Sequence, residues 1–361
     1  MDKKLSLIEK FKMFRKYQFL LNYSLFKPFY KNKFFSLTFH ITTRCNAHCL
    51  MCFNWQTMNK NLKDLSLEEI NKFTKNIGNL PNLSLSGGEP FLRDDIVEIC
   101  KIFKKNCQTN KIAIPTNGLL PELIIKKTEE ILKTCPVRLK LCLSLDGTGQ
   151  VHDEIRRVDG AFEKFKKTLQ AAIALTKKYP KLQVNINTTA FTANQNNLEE
   201  LVSFINNIPE IKFHNIEFIR GAFNNHEAET ITPEKYDELI DKIILKSKSL
   251  NNDKYHKKIY ALYHNLAVKI LKTKKQLVRC RAASHIPVID ALGNVYHCEI
   301  LPPIANLKDY NYDFKKIWNS ETAKKQRQNI AAKKCYCTHL CYQIQNIPMS
   351  PYYLIKAIFA K

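Results

Sequence analysis

Six short apolar runs punctuate the first 220 or so positions, and stretches with apolar residues three or four apart lie between them. The runs 35–42, 83–86, 111–115, 138–145, 183–190 and 215–219 are rich in β-branched and aromatic residues and read as strands. Ser66-Leu67-Glu68-Glu69 is a capping box that opens a helix to about residue 77. Further helices are expected over 94–103, 121–132, 162–178 and 198–205. Short apolar strands that alternate with amphipathic helices predict right-handed βαβ units and a parallel sheet. Six such units fall short of a closed eight-stranded barrel, so an open (β/α)6 arc is expected. The loops at the C-terminal ends of its strands then share one face, where α/β proteins place their sites.

Beyond this series, Thr232-Pro233-Glu234 starts another helix, with Thr as cap and Pro in the first turn. Residues 233–275 read as a Lys-rich helical connector. The pattern changes near Cys280, where five of the twelve cysteines gather in the last 80 or so residues. At 361 residues, 45% of them apolar, the chain is long enough for a full core and two domains. No apolar run reaches the ~18 residues that span a bilayer, and the Lys-studded start is not a secretory signal. Cysteines in such a chain point to metal ligation or buried thiols in the cytoplasm rather than a disulfide framework.

The formal net charge of +24 admits an acidic partner. Scattered lysines and the lack of a nucleic-acid motif favour solvated faces instead, so nucleic acid is not expected as a partner. Residues 1–35 stand apart. They carry nine Lys/Arg against two acids, interleaved with aromatics such as Phe11, Phe14 and Tyr17. That pattern suits either peripheral contact with an anionic membrane or a helix packed on the outside of the domain.

Cys45, Cys49 and Cys52 follow the first strand with Cys-x3-Cys-x2-Cys spacing. Three thiols suit an iron–sulfur cubane that keeps one iron open, and also a zinc knuckle completed by His48. The second strand ends in Ser86-Gly87-Gly88-Glu89-Pro90, where two glycines permit close backbone approach. Together, in this order, the two motifs resemble the radical S-adenosylmethionine (SAM) superfamily. Met51 stands where that family has an aromatic residue, with Phe53 just after the last cysteine. Thr116-Asn117-Gly118, Ser144-Leu145-Asp146-Gly147 and His152-Asp153-Glu154-Ile155-Arg156 extend the resemblance over roughly residues 36–220.

The resemblance implies a [4Fe-4S] cluster on Cys45, Cys49 and Cys52, whose open iron chelates SAM. Gly87, Gly88 and Glu89 would hold the SAM amino group, beside Asn117. Ser144 would bond the ribose, and Arg156 would pair with the carboxylate. An electron from a flavodoxin- or ferredoxin-type donor would cleave SAM to methionine and a 5′-deoxyadenosyl radical, which takes a hydrogen from substrate.

The C-terminal region, with Cys280, Gly293 and Cys298 and then Cys335, Cys337 and Cys341, resembles the SPASM/Twitch auxiliary-cluster domains of the same superfamily. Five cysteines imply one auxiliary [4Fe-4S] cluster on Cys280, Cys298 and two of the last three, with Cys335 the expected spare. Asp290 and Glu299 flank this region as candidate bases, beside His297 and His339. The expected organisation is an N-terminal extension (1–35), a radical SAM core (36–225), a helical connector (226–275), an auxiliary-cluster lobe (276–345) and a tail (346–361). The substrate would be a peptide or a small molecule such as an amino sugar. An RNA-modifying radical SAM enzyme and a non-catalytic zinc scaffold are the alternatives.

Overall fold

The computed structural model describes residues 6–25, 34–211, 213–221, 228–242 and 254–359. Six parallel strands form its centre: β1 (Ser36–His40), β2 (Asn82–Ser86), β3 (Lys111–Thr116), β4 (Arg138–Ser144), β5 (Leu182–Ala190) and β6 (Phe213–Phe218). Each lies within a residue or two of the run that predicts it. Their inward positions are apolar and fully buried, for example Leu37, Phe39, Leu83, Leu85, Ile112 and Ile114. Each such side chain contributes about 1.5–3 kcal/mol of burial.

The crossovers are α2 (Leu67–Ile77), α3 (Ile96–Cys107), α4 (Pro121–Thr134), α5 (Gln150–Arg156) with α6 (Ala161–Lys178), and α7 (Leu198–Asn206). They follow α1 (Leu7–Leu25) in the chain. The predicted capping box at Ser66 and Glu69 is present. Register places His40 opposite Ser86 and Ser144 opposite Asn187, so all four share the C-terminal edge of the sheet.

The C-terminal region continues this sheet rather than standing beside it. β7 (Val288–Ile289) pairs parallel to β1, and β8 (Asn294–Tyr296) and β9 (Ala305–Asn306) follow antiparallel. The result is an open nine-stranded sheet ordered β6-β5-β4-β3-β2-β1-β7-β8-β9. Strands of two or three residues are too short to show a periodicity, so their pattern is not visible in the sequence.

The helices around the sheet's end are α8 (Pro233–Lys242), α9 (Lys254–Thr273), α10 (Ala282–His285), α11 (Phe314–Trp318), α12 (Glu321–Ala331), α13 (Leu340–Asn346) and α14 (Pro351–Phe359). Parts of the predicted N-terminal extension (26–33) and connector (243–253) lie outside the described residues. Phe34 docks edge-on against Phe314 and Trp318, each with ring centroids 5.3 Å away, which ties the entry to β1 to the lobe.

Glu69 makes a second tie. Its Oε2 accepts the Ser66 amide at 2.8 Å, and its Oε1 accepts the Tyr312 hydroxyl at 2.6 Å. Burial opposes its ionisation, but the bonds from Tyr312 and Ser66 and the charge of Lys308 outweigh it. They bring the carboxyl down to about 2. A folded-state value below the unfolded one stabilises above the ordinary carboxylate range, and that stability is lost as pH falls toward 2. Glu69→Gln is expected to lower unfolding free energy by about 1–2 kcal/mol at pH 7. In urea titrations the gap from the parent chain should close between pH 4.5 and 2, whereas a gap constant over that range would contradict the assignment.

Candidate active site

The loop after β1 is fastened before it reaches its thiols. Thr42 Oγ1 donates to Asp64 at 2.7 Å, and the Thr43 amide donates to the same carboxylate at 3.0 Å. Asn59 clasps the Cys45 backbone, accepting from its N–H and donating to its carbonyl, both at 2.9 Å. Burial is the largest influence on the thiols, pushing Cys45 up to about 12 and Cys52 up to about 11. Arg156 reaches the third, with Nη1 3.5 Å from Cys49 Sγ. Its Nη2 pairs with buried Asp146, whose other oxygen accepts the Thr189 amide at 2.7 Å.

A single tetrahedral zinc would draw its sulfurs to roughly 4 Å apart, given Zn–S bonds of about 2.3 Å. The three sulfurs here are not all within 4.8 Å of one another. His48, the candidate fourth zinc ligand, is exposed. Soft donors, this spread and an adjacent fixed cation fit an iron–sulfur cubane. Met51 is buried against Ile155, Phe191 and Ile219 in a small cluster of its own.

The Gly87-Gly88 turn lies directly on this loop. The Gly88 amide bonds Thr42 O at 2.9 Å and the Glu89 amide bonds Arg44 O at 2.8 Å. A Cβ at Gly88 would stand 2.1 Å from Arg44 O, and one at Gly87 would stand 2.5 Å from Thr42 O. The glycines therefore serve contact between the β1 and β2 loops, and both amides are spent there. Glu89 turns inward and is 1% exposed. Its carboxylate accepts the Thr116 hydroxyl, the Asn117 amide (both 2.8 Å) and the Phe91 amide. Burial pushes it up to about 7 against these bonds. Asn117 donates to Asn46 of the cysteine loop at 2.7 Å, and Ser144 ends β4. These candidates thus share the sheet's C-terminal edge, with Glu89 as the tie between β2 and β3. Asp146, Asn59 and Asp64 were not singled out from the sequence, although Asp146 lies within the quoted Ser-Leu-Asp-Gly motif.

The lobe sorts its five cysteines. Burial raises the thiols of Cys280, Cys298 and Cys337 most; Cys337 adds to the rise of Cys280 and Cys298, Cys280 to that of Cys298, and Cys335 to those of Cys280 and Cys337. Cys341 lies apart, its sulfur within 4.8 Å of ligand atoms of Glu217 and His339. Its neighbours in charge are Glu217, Arg220, Glu299 and Cys142. It is solvent-accessible yet ringed by protein, as befits a cleft wall.

At that cleft Glu299 accepts His339 Nε2 at 2.7 Å, and it faces His40 Nε2 at 3.4 Å and Arg220 Nη2 at 3.5 Å. Burial works against its charge, but the histidines and Arg220 hold it well below the usual carboxylate range. Asp290 instead closes the β7–β8 turn, accepting the Leu292 and Asn294 amides and the Tyr296 hydroxyl. His297 is fully buried against Trp318 and lies 3.0 Å from Gln326 Oε1. A cavity of ≈ 100 Å³ lies between the β1 loop and the lobe, lined by His40, Thr42, Asn54, Met58, Tyr296 and Glu299 among others.

Comparison with known proteins agrees with this geometry. Residues 39–205 match the Radical SAM superfamily. Over 324 residues the chain is 25% identical to an AdoMet-dependent heme synthase of Methanosarcina barkeri, covering 83% of this chain and 86% of the relative. It is 28% identical to a probable GTP 3′,8-cyclase of Methanococcus maripaludis over 51% of this chain and 64% of that one. In fold it is similar to anSMEcpe with bound AdoMet and the Cp18Cys peptide, with TM-score 0.60, 17% identity, and coverage of 81% of this chain and 81% of the other. Residues 39–205 are thus a radical SAM domain, with a [4Fe-4S] cluster and SAM as its cofactors.

Proposed function

We propose that the chain cleaves SAM reductively and directs the resulting radical at a substrate seated between the barrel mouth and the C-terminal lobe. The observation that carries this is the fastened trio Cys45, Cys49 and Cys52, with the Arg156 guanidinium against Cys49. Cys45, Cys49 and Cys52 would hold the cluster, which would supply the one electron that SAM cleavage needs. Arg156 places a permanent positive charge where thiolates and the SAM carboxylate carry negative charge. The carbonyls of Gly87 and Gly88 are the acceptors this turn offers to an amino group, since the Gly88 and Glu89 amides are engaged. Ser144 stands at the β4 edge for the ribose, and Asn117 braces the cysteine loop.

Cys280, Cys298, Cys335 and Cys337 are the proposed ligands of an auxiliary [4Fe-4S] cluster, with Cys341 rather than Cys335 left over. The influence of Cys335 and Cys337 on Cys280, and of Cys337 on Cys298, supports this set, and no three of their sulfurs lie within 4.8 Å, again wider than one zinc would hold them. Among substrates we favour a small polar molecule over a peptide. The relative that spans both barrel and lobe is named for heme synthesis, and the mouth carries both signs of charge in Arg220, Glu217 and Glu299. The electron comes from a flavodoxin- or ferredoxin-type donor, in a cytoplasmic setting. An RNA substrate has only net charge in its favour.

Anaerobic reconstitution is expected to load about eight irons per chain, and SAM with reductant should then yield 5′-deoxyadenosine. Cys45→Ala should abolish that product and drop iron to about four. Single Ala changes at Cys280, Cys298, Cys335 or Cys337 should also leave about four, while Cys341→Ala keeps about eight. Iron retained in the Cys335 variant but lost in the Cys341 variant would reverse the ligand assignment. Gly88→Ala forces the β1 loop from the turn at a cost of about 1–3 kcal/mol. It should load about four irons, because only the first site is displaced, and a full eight would show that the contact is dispensable.

A further inference from the structure

We propose that α1 and α14, from opposite ends of the chain, together form a surface that docks on an anionic membrane. Eleven large apolar side chains are exposed among the described residues, and seven belong to these two helices. On α1, Leu7, Ile8 and Phe11 are 62–82% exposed, with Phe14 a turn further on. Leu7, Phe11 and Phe14 follow i, i+4, i+7 spacing, so they form one outward stripe, while Met13 is fully buried. On α14, Tyr352, Ile355 and Phe359 (i, i+3, i+7) are 55–65% exposed. Leu354, Ala357 and Ile358 are buried on the opposite face. A helix that is apolar on both faces has two apolar partners. Among the described residues only the inner one is supplied.

The two helices touch. Lys10 Nζ lies 4.3 Å from the centre of the Phe359 ring, so their outward stripes adjoin. Charge identifies the outer partner. Residues 1–25 hold six Lys/Arg against two acids, and residues 347–361 hold two Lys and no acid. Lys12, Arg15 and Lys356 are exposed beside the apolar stripes. A second copy docked through the same patch would set these cations against each other. Anionic headgroups neutralise them, while the acyl boundary takes the Phe, Ile and Leu side chains. No helix of the described residues is long and apolar enough to cross a membrane, so the contact lies in the interface plane.

The test is co-sedimentation of the full-length chain with phosphatidylcholine vesicles, with and without 30 mol% phosphatidylglycerol. Binding is expected only with phosphatidylglycerol, falling at least tenfold at high salt. The double variant Phe11→Ser/Ile355→Ser should weaken it tenfold or more, as should Lys12→Glu/Arg15→Glu, with melting temperature and iron content unchanged. Equal binding to both vesicle types, no binding at all, or variants that bind like the parent would overturn the proposal. So would a dimer in lipid-free sedimentation velocity that the Phe11/Ile355 substitutions dissolve, since that assigns the surface to a second copy. Pull-down of an acidic protein partner by a chain that ignores vesicles would overturn it as well.

Discussion

The structure depends on one positive charge held against buried thiols. A guanidinium inside a protein is costly unless it is paired and hydrogen-bonded. Asp146 pairs with Arg156, and the same carboxylate accepts the Thr189 amide while its own carbonyl accepts the Asn194 side chain. Arg156 therefore cannot turn away from Cys49 without leaving a buried carboxylate uncompensated. The ends of β4, β5 and α5 are thereby fixed relative to the β1 loop. Burial alone would keep Cys45 and Cys52 protonated, so a metal cluster that needs thiolates gains from a charge that does not titrate.

Close approach supplies the complementary constraint. The β2 turn can bond the carbonyls of Thr42 and Arg44 only because no Cβ stands at Gly87 or Gly88. Glu89 then carries the contact to the third strand, through Thr116 and the Asn117 amide. Three successive loops become one surface, and the Asn117–Asn46 bond returns it to the cysteines. The motif's value lies as much in joining loops as in offering groups to a ligand, which spacing alone does not reveal.

Legibility follows from the length over which a physical preference is repeated. The six parallel strands and their helices were readable because five to nine apolar or β-branched residues must sit together in a buried strand. The trio and the Gly-Gly turn were readable because few backbones need those residues in that order. The continuation through β7, β8 and β9 was not, since it rests on pairings of two or three residues whose partner, β1, is about 250 positions away. The proposed sorting of the last cysteines has no signal in their spacing either. Cys335 and Cys337 act on the charge of Cys280, whereas Cys341, in the first turn of α13, lies beside Glu217 and His339. The second apolar face of α14 was missed because a short terminal stretch reads as a tail until its inner face is seen to be occupied.

Continuity of the sheet changes what Glu299 can be. Because β7 runs beside β1, residues after β8 arrive over the barrel mouth, and Glu299 meets His40 from β1 and Arg220 from beyond β6. A carboxylate held ionised by two histidines and an arginine is a weak proton acceptor and a strong clasp. His339 Nε2–H is committed to Glu299, which fixes the ring, and among the described residues nothing bonds its buried Nδ1. The same ring lies close to the accessible thiol of Cys341. The clasp thus joins β1, the segment beyond β6 and the lobe at one mouth, with the His339 ring and the Cys341 thiol side by side there.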